Sequence, residues 1–516
     1  MQTLTVATGA YPVLSVMVLV PLIGALLLAI PALRGQARGL GLTIAIAELG
    51  LGIWAAILFD PHAGTVYQLA ETRHWIPAMG VSWALGVTGL GLAMLLLAVF
   101  LVPIVLLASW GEIPADRQAG FASLILALEA FIVVIFTARD VLLFYLVFEA
   151  MLIPVYFLIG RYGGPDRRRA AIKFLLYSLA GGLVMLIGVV ALTVYGPGGD
   201  ENYLIQNLSQ GLTSSTGVTR GIFVTFLIAF AIKAPMVPLH TWLPDTAEQA
   251  TPGTSVLLIG VLDKIGTYGM IAIVLPLFPE ASRWAAPVIL PLAIVGIIYG
   301  GLAAIGQDDL YRLISYTSIS HFGFMVLGIF IGNQVAAVGA MVYMVAHGLS
   351  IAGLYLITGF MARRTGTVRI SELGGIARVM PLIAGTFLFS GLASIALPGL
   401  SGFIPEWMVL TGSFSAKPVY GILALLGVII AAVYMLLPYQ RVFTGAPAAE
   451  RVGSQDLDGR ERVVVAPIIV AMLVLGLAPA ALTGILDGVG AQTAATMTGA
   501  GSQSAATAPV TEGSSK

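Results

Sequence analysis

Long apolar runs separated by short polar stretches dominate the pattern of this 516-residue chain. An α-helix needs about 20 mostly apolar residues to cross the hydrocarbon core of a bilayer. Runs of that length fall at 11–33, 39–59, 83–108, 118–138, 140–160, 170–195, 221–244, 251–276, 284–305, 310–331, 334–361, 379–410, 418–440 and 463–485, which predicts about 14 transmembrane helices. Barrel strands would be about half as long and would alternate apolar with polar positions. The expected class is therefore an all-α polytopic membrane protein.

Two of the runs are interrupted. "FAIKAPMVPLHTWLPD" (230–245) sets Pro235, Pro238 and Pro244 behind Lys233, and "IALPGLSGFIPEWMVL" (395–410) places Pro398, Gly399, Gly402 and Pro405 before Glu406. Proline cannot donate to the helix ladder, and its ring clashes with the preceding turn. Runs 7 and 12 are thus expected as broken helices. Such backbone is tolerated at membrane depth only inside protein or against a water-filled cavity. The breaks lie five runs apart, and an odd offset inverts topology. Residues 118–276 (helices 4–8) and 284–440 (helices 9–13) are expected as two inverted five-helix repeats, a transporter design. Helices 1–3 within 1–110 precede them and helix 14 at 463–485 follows. The Ala/Gly/Ser/Thr-rich stretch 491–516 has little to bury and is expected to be disordered.

Composition strengthens the membrane reading. Charged residues make up 10% of the chain and hydrophobic ones 58%, against roughly a quarter charged in an ordinary soluble protein. Basic and acidic residues balance at 25 each, so no global charge points to nucleic acid. Cysteine is absent, which excludes disulfides and cysteine-held iron–sulfur clusters within this chain. No phosphate loop or dinucleotide fingerprint occurs. "GLGLTIAIAELGLG" (39–52) lies inside an apolar run and reads as helix packing. With no expected site for ATP, NADH or a metal cluster, the energy must come from an ion gradient or a partner. "MQTLTVATGA" lacks a basic segment, so no cleavable signal peptide is expected. Of the 25 Lys and Arg, 17 fall in odd-numbered loops and six in even loops and termini. This bias puts the odd loops in the cytoplasm and both termini outside.

Lys233 and Lys264 are the remaining two basic residues, and both lie inside runs. A charge at the bilayer centre costs on the order of 2.5–3.5 kcal/mol on insertion scales, so buried ionisable residues are functional candidates. Glu149 stands in "VLLFYLVFEAMLIPVYFLIG", and Glu406 beside the second break. Lys233, next to the first break, could meet water and freed carbonyls; the alternative is a lysine snorkelling to an interface. Lys264 adjoins Asp263, but neighbouring residues point about 100° apart on a helix and do not face each other. Each could address a different partner. His240, His321 and His347 add groups that relay protons through either ring nitrogen. Asp263 and Glu129, mid-run in "SLILALEAFIVVIF", are weaker candidates for the same proton path.

Four stretches together carry a resemblance: "FAIKAPMVPLHTWLPDTAEQATP", "LLFYLVFEAMLIPVYFLIG", "QDDLYRLISYTSISHFGF" and "LPGLSGFIPEW". The chain resembles, from about run 3 to run 13, the antiporter-like membrane subunits of proton-pumping NADH:quinone oxidoreductase, respiratory complex I. It is most similar to the M-type members, which carry glutamate at the position of Glu406 where L and N subunits typically have lysine. The resemblance implies proton translocation from cytoplasm to periplasm across the bacterial inner membrane. It implies that Glu149 tunes the proton affinity of Lys233, that Lys264 is the central relay, and that Glu406 leads to the exit. His321 and His347 would line the path, with His240 near Lys233. FMN, iron–sulfur clusters and quinone would reside in partner subunits, and L and N subunits would be neighbours. Two positions depart from the family pattern. Tyr311 precedes Arg312 where a basic residue is usual, and Ala272 stands where an arginine is frequent. The alternative functions are a subunit of a multisubunit cation/proton antiporter and an inert scaffold, in which neutralising the buried charges would be harmless.

Overall fold

The computed structural model describes residues 4–63, 66–199, 201–447 and 453–500. The chain opens with strand β1 (Val6–Thr8) and helices α1 (Val13–Ala29) and α2 (Ala37–Leu58). Strands β2 (Tyr67–Ile76) and β3 (Val81–Val87) then pair antiparallel, with β1 parallel to β2. The hairpin turns at Gly80, whose φ of +67° favours glycine. Residues 83–87, expected as the start of the third run, are the end of this hairpin. Helix α3 (Gly89–Ser109) begins only where the Thr88 hydroxyl accepts from Gly91 N at 3.0 Å. That cap satisfies one of the orphan amides at the helix start.

Helices α4 (Gln118–Thr137), α5 (Val141–Ala150), α6 (Leu152–Tyr162) and α7 (Arg167–Tyr195) follow. A single turn, α8 (Ile205–Leu208), leads to α9 (Thr216–Lys233), which ends on its lysine, and to α10 (Trp242–Gln249). The next run is one buried rod of α11 (Pro252–Leu257), α12 (Lys264–Gly269) and α13 (Leu275–Leu277). Wide π turns at Leu258–Leu262 and Met270–Val274 join its parts. Such turns are frequent at functional positions. Then come α14 (Pro279–Ile305), α15 (Leu310–Phe330), α16 (Gln334–Thr365) and the short α17 (Ile376–Val379). The C-terminal part holds α18 (Pro381–Ser394), α19 (Phe403–Ala416), α20 (Pro418–Phe443), α21 (Gly459–Leu477) and α22 (Ala480–Thr498).

Among the described residues, 11 helical segments are long and apolar enough to cross a membrane, or 12 with the pair α21–α22, which bends by 66°. The expected count was 14. Expected runs 1 and 12 hold the shorter helices α1 and α18, and α18 is cut short by the break around Pro398. The tail expected to be disordered from 491 is helical as far as Thr498, as the end of α22; residues 501–516 lie outside the described residues. Composition misled there because Leu486, Gly490 and Thr493 pack inward.

The rod α11–α13, α15 and α16 are almost wholly buried, whereas α2, α7 and α20 turn most of their surface outward. The central helices therefore meet protein on all sides. Polar groups they carry are shielded from lipid, and these are the helices that hold Lys264, His321 and His347.

Candidate functional site

The site starts at the first break. Pro235 and Pro238 stop α9 at Lys233, and the ladder closes with Ala234 N on Phe230 O at 2.7 Å and Met236 N on Ala231 O at 2.9 Å. The Trp242 indole donates to the carbonyl of Ile232 at 3.0 Å, which satisfies one of the acceptors near the break. Lys233 is 1% exposed, and its ammonium has no hydrogen-bond partner among the described residues. It lies 5.2 Å from the Phe174 ring centre and 5.8 Å from that of Phe148, so ring faces supply its nearest favourable field. Glu149 on α5 and Asp263 are the acids within electrostatic reach of Lys233. The Glu149 carboxyl lies against Gly182 of α7, where a Cβ would overlap Oε1 as it is placed.

The second cluster is built on the rod. The Lys264 ammonium reaches back across the first π turn to the Ile259 carbonyl and stands 2.6 Å from Nδ1 of His347 on α16. Asp263 precedes it, fully buried, with both oxygens unbonded among the described residues and in electrostatic reach of both lysines. Asp263 and Lys264 were expected to address different partners; Lys264 takes Ile259 and His347, while Asp263 takes no hydrogen-bond partner among the described residues and feels Lys264 as well as Lys233.

From His347 the polar groups continue. Its ring lies 5.2 Å from that of His321 on α15, nearly perpendicular. His321 Nε2 is 2.9 Å from the Tyr434 hydroxyl on α20, and its ring is 5.5 Å from that of Tyr343 on α16. The Tyr343 hydroxyl donates to Glu406 Oε2 at 2.8 Å. Lys264, His347, His321, Tyr343 and Glu406 are all at most 3% exposed. Five helices thus gather proton donors and acceptors into one buried file, in which His347 meets His321, and His321 meets Tyr343, through ring contacts rather than hydrogen bonds.

The second break positions its far end. Helix α18 stops at Ser394, Ala396 adopts φ +59° and Gly399 φ +89°, and α19 restarts at Phe403. Glu406 falls in the first turn of α19, and Lys233 is the last residue of α9. A helix dipole favours an anion at its N-terminus and a cation at its C-terminus, so each break presents its charge at the favourable end.

Not every candidate joins this row. His240 hydrogen-bonds Tyr299 at 3.3 Å and packs edge-on to it, rather than contacting Lys233. Glu129 is buried on α4 with unbonded oxygens, and its charged neighbour is Glu48 on α2, a buried carboxyl not singled out from the sequence. Tyr343, Tyr434, Trp242 and Gly182 were also missed. Tyr343 stands four residues before His347, one turn away on the same face, and that spacing could have marked it. Nothing in the sequence aims Tyr434 at His321. Of the two departures, Tyr311 stacks on Tyr355 at 5.7 Å, and Ala272 sits within the second π turn.

The row's first half is tied to the nearest loops by ion pairs. Arg312 reaches Asp245 and Glu248 on α10, each at 2.8 Å, and Lys173 on α7 reaches Asp245 at 2.6 Å. Burial pushes the Asp245 carboxyl up, but Lys173 and Arg312 outweigh it and hold the group below the usual carboxylate range. No cluster of three His, Asp or Glu side chains suited to a metal ion occurs among the described residues. What the arrangement can do is pass protons. Histidine exchanges them through two nitrogens, and the longer gaps are of the size that bridging water spans.

The same fold recurs in known proteins. Residues 138–431 match the family model described as NADH:quinone oxidoreductase/Mrp antiporter, transmembrane. NADH-quinone oxidoreductase subunit M of Mycobacterium tuberculosis is 43% identical over 515 residues, covering 92% of this chain and 93% of that protein. Subunit M of Rhodobacter capsulatus is 35% identical over 488 residues, covering 92% and 94%. Among solved structures, a chain of respiratory complex I from Thermus thermophilus with bound NADH superposes with a TM-score of 0.84 at 32% identity, covering 94% of this chain and 99% of that one. A chain of the Mrp complex from Dietzia sp. DQ12-45-1b shares the fold, with a TM-score of 0.80 at 22% identity and coverage of 94% and 97%.

Proposed function

The chain belongs to the transmembrane family of NADH:quinone oxidoreductase and Mrp antiporter subunits, on its subunit M branch, and from that premise we propose that it carries protons along the row from the half-buried Glu149 to the buried Glu406. As a member of that branch it is an antiporter-like, proton-pumping membrane subunit of a multisubunit translocase. Protons enter from the cytoplasm at Lys264 and leave toward the periplasm beyond Glu406, across the inner membrane of a bacterium. The odd-numbered loops then face the cytoplasm and both termini the periplasm. The two broken helices belong to inverted repeats, 118–276 and 284–440. L and N subunits flank the chain, and quinone reduction at the FMN, iron–sulfur and quinone sites of partner subunits drives the cycle.

The observation that carries this reading is the buried file Lys264–His347–His321–Tyr343–Glu406, hydrogen-bonded at its two ends and joined by ring contacts between, in a bundle with little other use for polarity. In the row, Glu149 acts on Lys233 through its charge. Protonating Glu149 removes a neighbouring anion, Lys233 then holds its proton less tightly, and the change passes through Asp263 to Lys264. Asp263 stands between the two lysines in electrostatic terms, so it shortens the step that they would otherwise make alone.

The test is Lys233→Ala in membrane vesicles, following NADH oxidation and proton uptake together, after native electrophoresis has shown that the complex assembles. Loss of proton uptake is the expected result. Undiminished NADH-driven uptake in an assembled complex would remove Lys233 from the path. If NADH drives nothing in the unaltered protein but a sodium pulse moves protons, the chain works as a cation/proton antiporter subunit.

A further inference from the structure

We propose that a cavity at the membrane edge between α1, α4 and α6 binds the headgroup of an anionic phospholipid, with Arg34, Arg117 and Arg161 facing its phosphate. The cavity measures about 400 Å³ and lies apart from the proton row. Arg34 stands on the turn Pro31–Gln36 that follows α1, Arg117 on the turn Ala115–Arg117 before α4, and Arg161 in the last turn of α6. Three separate elements therefore bring one arginine each to the same rim.

The charges there are unbalanced. Asp116 is the one acid lining the cavity, against three arginines. None of the three arginines makes an ion pair among the described residues. Arg117 donates to the main-chain carbonyl of Arg161, and both guanidiniums stack on Tyr162, at 4.9 and 5.7 Å from its ring centre. These contacts hold the forks in place without neutralising them. Like charges gathered in one cavity repel, and an anion relieves that repulsion. The planar guanidinium matches phosphate oxygens two at a time.

The cavity's other wall decides between a soluble anion and a lipid. Leu28, Leu124 and Phe157 form it, and Phe157 is 48% exposed on the outer face of α6. A ligand filling the whole space is anionic at one end and apolar at the other. Basic pockets between transmembrane helices at the membrane edge suit anionic lipid headgroups. The proposal needs only that the chain spans a membrane and is independent of the proton row.

The test uses the whole complex in nanodiscs of phosphatidylcholine doped with a diazirine-bearing phosphatidylglycerol, with labelled peptides mapped after photolysis. Label is expected on residues 28–34, 117–124 and 157–161. It should be competed by unlabelled phosphatidylglycerol but not by phosphatidylcholine or by free glycerol 3-phosphate. Arg34→Gln with Arg161→Gln should weaken labelling by about 30-fold, each charge near the headgroup counting for about fivefold. Arg34→Lys with Arg161→Lys should restore most of it, and NADH oxidation reports intact assembly in every variant. Equal labelling of the glutamine variant would overturn the proposal. So would competition by phosphatidylcholine or by glycerol 3-phosphate, or cross-linking of this rim to another subunit with no lipid label.

Discussion

Adding one methyl group at Gly182 should weaken the row without replacing any titrating side chain. The Cβ of Gly182→Ala would overlap Glu149 Oε1, so the carboxyl, the free end of its side chain, must swing away by about 2 Å to reach van der Waals contact. Glu149 and Lys233 attract each other without forming a direct ion pair. At separations of about 5–7 Å and an effective dielectric of about 20, a 2 Å retreat weakens such an attraction by about 1 kcal/mol. That is roughly a fivefold change in how strongly the state of Glu149 is felt at Lys233. Helix stability works the other way, since alanine is better by about 1 kcal/mol in a helix interior, so α7 should form at least as well. The assay is fluorescence quenching of a pH-sensitive dye in vesicles, divided by the NADH oxidation rate, with assembly checked on native gels. Gly181→Ala is the control, because its Cβ meets Ile232 Cδ1 at 3.0 Å and Ala229 Cα at 3.4 Å rather than Glu149. Gly182→Ala should lower the ratio severalfold and Gly181→Ala should leave it near normal. A Gly182→Ala complex that pumps as well as the unaltered one would refute the placing of Glu149 in the coupled path.

Other outcomes follow from the same geometry. Tyr343→Phe removes the 2.8 Å bond to Glu406; such charge-assisted bonds are worth about 1.5–3 kcal/mol, so the proton affinity of Glu406 should change by roughly 10- to 100-fold. Its pH profile of pumping should shift while oxidation assays confirm assembly, and an unmoved profile would take Tyr343 out of the row. Glu129→Leu replaces a buried carboxyl that has no bond partner and lies near Glu48. It should raise the thermal unfolding temperature and spare pumping, whereas lost pumping in a stable complex would return Glu129 to the path. In the loop after α3, burial pushes Glu112 up to about 7, with Arg363 and Arg460 pulling it back. Its folded-state value lies above the usual carboxylate value of about 4.5, so its contribution to stability is full below that pH and is lost as pH rises through about 7. Glu112→Gln should flatten thermal stability between about pH 4.5 and 7, and an unchanged slope would show that the loop does not feel this carboxyl.

The sequence by itself determined the membrane class, most of the helices and both breaks. These are local properties: 20 apolar residues force a helix because lipid satisfies no backbone group, and proline stops one wherever it falls. It also determined which charges are costly enough to matter, since Lys233, Lys264, Glu149 and Glu406 lie in apolar surroundings that any reading of the chain shows. Tertiary structure decided the order of the groups. That His347 touches Lys264 while His240 turns to Tyr299 depends on how α16 and α14 pack. That Tyr434 reaches His321 across 113 residues, and that Glu149 lies against a glycine on α7, depends on which faces meet. The helical end of α22 likewise depends on partners distant in the chain, whereas the hairpin β2–β3 pairs neighbouring segments. A run's own composition fixes whether it enters the membrane, because that free energy is summed residue by residue. Which side chains share a hydrogen bond is a property of pairs, and only the packed bundle sets their distances.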